Sequence, residues 1–163
     1  MRFPIGESDI LCMDWDERYL RILNASYGRR GSVQVRSAVF AAIPSDVEPR
    51  NAPSFGEFVK RTLAEHRIRT RRVIMDVPRQ DAILNLMSLP KGSVDELAAM
   101  VNIQIAKELP FNRDQMVIDF AVAREDAATG NNDVWVAAVR SNVVEYYKQV
   151  VEHAGLRLER LGL

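Results

Sequence analysis

Residues Arg72–Val77, RVIMDV, form a short and nearly continuous apolar run that ends at Pro78. Apolar side chains at successive positions of a strand point to both of its faces, so both faces must be covered. That happens inside a layered α/β arrangement, where helices pack on a partly parallel sheet. Pro78 has no amide hydrogen and cannot continue a central strand, so a boundary is expected there.

The segments before this run supply the rest of one unit, residues 1–79. Residues 9–14 read as a buried strand. Residues 18–26 and 31–43 read as two more, joined through Tyr27-Gly28-Arg29-Arg30-Gly31. Val33, Val35, Val39, Ala41 and Ile43 recur at period two, which predicts one apolar face on the third strand. Ser54-Phe55-Gly56-Glu57 has the pattern of a capping box and predicts a helix start. Phe55, Phe58, Val59, Thr62, Leu63 and His66 then share one helical face.

A second unit is expected over residues 80–155. Ala82–Leu89 reads as a strand, and Ser93-Val94-Asp95-Glu96 as a second capping box whose helix runs to about Glu108. Met116–Ala123 and Val134–Val139 read as a hairpin turning at Thr129–Asn132. Ser141–Ala154 reads as a helix with Gly155 just past its end. Residues 156–163 begin a returning strand. The order strand-helix-strand-strand-helix contains no internal repeat.

Composition excludes several classes. With 47% apolar and 27% charged residues, the chain has the content of a folded domain rather than a disordered one. The formal net charge is zero, so no global field draws it to nucleic acid or to an anionic membrane. The lone cysteine, Cys12, cannot close an internal disulfide; inside an apolar strand it reads as a small buried hydrophobe, compatible with a reducing compartment. No apolar run is long enough to span a bilayer, and the N-terminus lacks a basic-then-apolar signal. Any membrane role is therefore expected to be peripheral or through a partner.

Few residues carry a chemical signature. His66 and His153 sit near helix C-termini, where the dipole favours a cation. Neither has metal-ligand neighbours in sequence, and the chain has no P-loop, nucleophile elbow or Cys-x-x-Cys. Asp14, Asp76 and Asp119 end or interrupt strands without an evident partner. The one basic cluster, His66-Arg67-Ile68-Arg69-Thr70-Arg71-Arg72, reads as a solvated helix end, or as a contact for acidic lipid or an acidic partner. It has no interleaved aromatics, which argues against single-stranded nucleic acid. On the Ser93–Glu108 helix, Leu97, Ala98, Val101, Ile105 and Leu109 are assigned to the core face. Met100 and Ile103 are assigned to the opposite side, either as packing on the first unit or as a partner groove.

One stretch resembles a phosphate site. Asp9–Leu20, DILCMDWDERYL, is an apolar strand ending at Asp14, as the first strand of many nucleotide-binding folds does. A glycine turn would let the backbone approach a phosphate. Here the turn holds Trp15, Asp16 and Glu17 instead.

The order of elements resembles the first half of the PilM family, actin-like proteins of type IV pilus assembly, similar in plan to FtsA and related to GspL of type II secretion. The resemblance covers essentially the whole chain. It is carried by Leu109-Pro110-Phe111 with the following Val117-Ile118-Asp119-Phe120, by Val77-Pro78 and Leu89-Pro90, and by Ala137–Arg140, Val143–Tyr147 and Ala154-Gly155-Leu156. It implies an α/β (α+β) fold, a partial actin-like subdomain carrying an inserted strand-helix-strand-strand subdomain. It also implies a non-catalytic cytoplasmic scaffold, peripheral to the inner membrane, that holds the cytoplasmic tail of a PilN-like bitopic protein. Nucleic acid is not an expected partner, and membrane is expected only through the partner. By this resemblance Asp14, Trp15 and Asp16 occupy a degenerate phosphate-loop position, with no cofactor expected and ATP with magnesium only if a second half exists. Met100, Ile103, Pro110 and Phe111 are the expected partner-binding residues. The alternatives are an N-terminal fragment of an actin-like ATPase and a GspL-like subunit that docks a secretion motor.

Overall fold

The structure, a computed structural model, describes residues 9–28, 31–108, 113–126 and 129–163. In chain order its elements are β1 (Asp9–Trp15), β2 (Tyr19–Tyr27), β3 (Val33–Ala42), α1 (Ala52–Glu65), β4 (Arg72–Asp76), β5 (Ala82–Pro90), α2 (Val94–Glu108), β6 (Met116–Asp126), β7 (Asn131–Arg140), α3 (Ser141–His153) and β8 (Arg157–Gly162). They form two compact units. One holds the residues up to Asp76 together with Glu145–Gly162, and the other holds Val77–Val144 with Leu163.

The first unit is built on a five-stranded sheet in the order β3-β2-β1-β4-β8. The RVIMDV run is β4. It lies between β1 and β8 and is parallel to both, which accounts for its unbroken apolar sequence. β1, β2 and β3 form an antiparallel meander. Leu11, Met13, Leu20, Ile22, Val39, Val73 and Met75 are buried, as are Phe55, Val59 and Leu63 of α1 and Tyr147, Val150 and Val151 of α3. The two helices approach closely at Gly56, where a Cβ would stand 2.4 Å from the Cβ of His153 and 2.9 Å from the carbonyl oxygen of Val150.

Two local expectations are corrected. The alternating valines of β3 do not make a continuous buried face: Val39 is buried, but Val33 and Val35 are exposed. β3 is the sheet edge, and its pairing shifts register between Asn24 and Ala25, leaving Arg36 without a partner residue on β2. A bulge re-aims the residues beyond it. The start of α1 also lies earlier than the Ser54 box. Asn51 is the N-cap, its side chain accepting the Ser54 amide at 3.0 Å, and Pro53 sits in the first turn where its missing donor costs nothing. Glu57 pairs with Lys60 at 3.1 Å instead.

The second unit is a three-stranded antiparallel sheet, β5-β7-β6, with α2 packed on one face. Its core joins Met87 and Leu89 of β5, Val134 and Val136 of β7, and Leu97, Val101 and Ile105 of α2, with Ile118 and Phe120 of β6 against it. The expected capping box is present: the Ser93 amide donates to Glu96 Oε2 at 2.7 Å and the Glu96 amide donates to Ser93 Oγ at 3.3 Å.

Candidate functional site

β1 alternates, so its last residues point to opposite faces of the sheet. Trp15 goes to the helix side, with ring centroids 4.8 Å from Phe55 and 5.1 Å from Tyr147. It is part of an aromatic cluster that also holds Tyr146, whose hydroxyl donates to the Pro49 carbonyl and whose burial pushes its pKa up to about 12. Asp14 goes to the other face, where a cavity of about 700 Å³ opens among Cys12, Asp14, Arg21, Phe40, Asp76 and Arg160. Cys12 is half-buried at this cavity rather than sealed in the core, and burial, with the Asp76 charge, pushes its thiol pKa up. A raised pKa keeps the sulfur protonated and weakly nucleophilic.

The turn after Trp15 is closed by its own side chains. Asp16 Oδ1 accepts the amides of Arg18 at 2.7 Å and Tyr19 at 2.8 Å, and the Asp16 amide donates to the Tyr19 carbonyl. Arg21, reaching back from β2, donates to Asp14 Oδ1 and to Asp16 Oδ2, each at 2.7 Å. Arg50 meets Glu17 at 3.3 Å. The Arg21 guanidinium and the two amides hold the Asp16 carboxyl down at about 2, and the two aspartates push Arg21 up. Three amide hydrogens of this turn are thus in use, and the Arg21 and Arg50 guanidinium groups already face carboxylates. An incoming phosphate would have to displace a carboxylate to use the Arg18 or Tyr19 amide or the Arg21 or Arg50 guanidinium.

Arg21 is the residue of this arrangement that sequence reading missed. The signal was available: with a turn at Asp16–Arg18, antiparallel pairing sets Asp14 directly opposite Arg21.

The expected partner-binding residues separate. Ile103 is 63% exposed on α2. Met100 is partly buried and packs against the core cluster of its own unit, one helical step from Leu97, which corrects its assignment to the opposite side. Pro110 and Phe111 lie outside the described residues. Among the described residues, no group of three or more His, Cys, Asp or Glu could hold a metal ion, and no helix is long and apolar enough to cross a membrane.

Residues 13–161 match the family model described as type IV pilus assembly protein PilM. The chain belongs to the PilM family. Solved structures share the fold, among them the following two. One is described as the PilM-PilN type IV pilus biogenesis complex, at 21% identity and a TM-score of 0.82, covering 98% of this chain and 48% of that one. The other is the cytoplasmic domain of EpsL, an inner membrane component of the type II secretion system of Vibrio cholerae, at 14% identity and a TM-score of 0.60, covering 95% of this chain and 57% of that one. A comparison with curated proteins gave no match. The chain spans about half the length of the PilM structure it resembles.

In this PilM-family chain the Asp14–Asp16 turn is a tight hairpin with an aromatic anchor.

Proposed function

We propose that this PilM-family chain is a non-catalytic scaffold of a type IV pilus or type II secretion platform, acting at the cytoplasmic side of the inner membrane. It would hold the cytoplasmic tail of a PilN-like bitopic protein. The observation that carries the non-catalytic part is the Asp14–Asp16 turn, whose Arg18 and Tyr19 amides are taken by the Asp16 carboxylate. A site that has used its donors on its own side chain offers little to a triphosphate. The partner part is supported by family membership and by a structural relative that is a complex of PilM with PilN.

Within this reading Ile103 is the apolar contact on α2, with Pro110 and Phe111 beyond the helix. One buried isoleucine contributes about 1.5–3 kcal/mol. The test is titration of the chain with the cytoplasmic peptide of a PilN-like protein, alongside Ile103→Glu. The variant is expected to lose the peptide while its melting temperature stays within a few degrees, because the side chain is exposed. Unchanged peptide binding would remove Ile103 from the site. A parallel titration with ATP and magnesium, followed by tryptophan fluorescence, should show no micromolar binding. A micromolar constant needs about −8 kcal/mol and would overturn the non-catalytic reading.

A further inference from the structure

The segment between α1 and β4 is pinned in a way that its composition does not reveal. Ile68 is buried at 5%, and its amide donates to the Leu63 carbonyl. Thr70 is half-buried, its hydroxyl donating to Asn24 Oδ1 of β2 at 3.0 Å. Between these two anchors and on either side of them, Arg67, Arg69 and Arg71 are exposed. The alternation turns three guanidinium-bearing side chains to the outside, with alternate Cα atoms roughly 6–7 Å apart. Arg67 has φ 56°, the left-handed conformation that ends α1 and sets the segment's direction.

Two carboxylates at this end of the sheet are already engaged. Glu159 is shared by Arg72 at 3.1 Å and Arg157 at 2.7 Å. Asp9 meets Arg36 at 3.2 Å. The Arg71 guanidinium donates to the carbonyls of Ile68 and Thr70, and among the described residues it has no ion pair. A chain of zero net charge therefore concentrates three exposed arginines on one short segment.

We propose that Arg67, Arg69 and Arg71 are a contact surface for the headgroups of an anionic phospholipid bilayer. This goes beyond the expectation that membrane is met only through a partner, and it does not depend on the partner-tail reading. Three spaced guanidinium groups suit a surface of distributed negative charge, which needs no shaped pocket. The segment has no aromatic residue on which single-stranded nucleic acid could stack. Each arginine near an anionic leaflet raises partitioning about fivefold, so the three together raise it about a hundredfold. That is weak alone, and it suits a protein that a second interaction also holds at the membrane.

The experiment is flotation of the purified chain with vesicles of phosphatidylcholine, with and without 30% phosphatidylglycerol, at low salt and at 0.5 M salt. Binding is expected to the anionic vesicles alone and to be stripped by salt. The triple variant R67Q/R69Q/R71Q should lose about a hundredfold of that partitioning. R67K/R69K/R71K should keep most of it, and the charge-matched variant R18Q/R50Q/R124Q should keep it fully. Circular dichroism confirms that each variant is folded; if the glutamine triple does not fold, single substitutions, each expected to lose about fivefold, carry the test. No anionic-vesicle binding by the parent chain, equal loss in the charge-matched variant, or binding to duplex DNA in place of vesicles would each overturn the proposal.

Discussion

Asp16 is held as a carboxylate by a guanidinium and two amides, and this makes a pH prediction with a definite sign. Its pKa falls from the ordinary 3.8 to about 2 on folding. A depressed carboxylate contributes stability that is present above the unfolded value and is lost as pH falls through the folded one. Unfolding by urea between pH 5 and pH 2 should therefore show stability dropping below about pH 4, and Asp16→Asn should flatten part of that drop. Equal slopes for parent and variant would show that Asp16 is not the titrating group. Trp15 makes the second prediction. Its ring lies against Phe55 and Tyr147, so Trp15→Ala should destabilise the chain by about 3 kcal/mol, the low end for an aromatic truncation because the residue is only half-buried. A loss below about 1 kcal/mol would mean that the cluster closes over the gap or contributes little.

The helices differ in what their sequences revealed. α2 begins at the capping box expected of it, because the box is a local hydrogen-bond pattern among residues three apart. α1 begins at Asn51 instead, because an equally local competitor with Pro53 behind it captured the first turn. Gly56 was unremarkable in the sequence, a small residue inside a helix where glycine costs about 0.5–1 kcal/mol relative to alanine. Its reason is the end of α3, where the Val150 carbonyl oxygen and the amide nitrogen of Ala154, just past the helix, stand 2.9 and 3.2 Å from where a Cβ would be. Gly56→Ala is therefore expected to destabilise by about 1–3 kcal/mol, against the helix propensity, because the two helices must move apart. A thermal melt that rises would show that the contact relaxes freely. Met100 shows the opposite failure. Its apolar character was legible, but its side was not, since a position next to Leu97 on the helix still belongs to the core stripe.

Across the whole chain, the two units carry separate cores and should answer separately to damage. Ile105 is fully buried in the core of the second unit, so Ile105→Ala should cost that unit about 2–5 kcal/mol. Hydrogen exchange should then rise in β5, β6 and β7 while the β1–β4 amides keep their protection. Uniform loss of protection would mean that the units unfold as one. The layered class, the buried parallel strand at Arg72–Asp76, the hairpin of β6 and β7 and the family resemblance were all readable along the chain. Each rests on neighbours in sequence: a two-residue or 3.6-residue period, a capping pattern, a proline, a motif. Three features were not readable. The bulge that exposes Val35, the Gly56 contact and the pinning of Ile68 and Thr70 that turns three arginines outward each join residues distant in sequence or compare competing partners. Local periodicity reports which side chains prefer burial. Which donor reaches which acceptor, and which backbone comes close to which, is settled when the sheet sets its register and the helices settle on it.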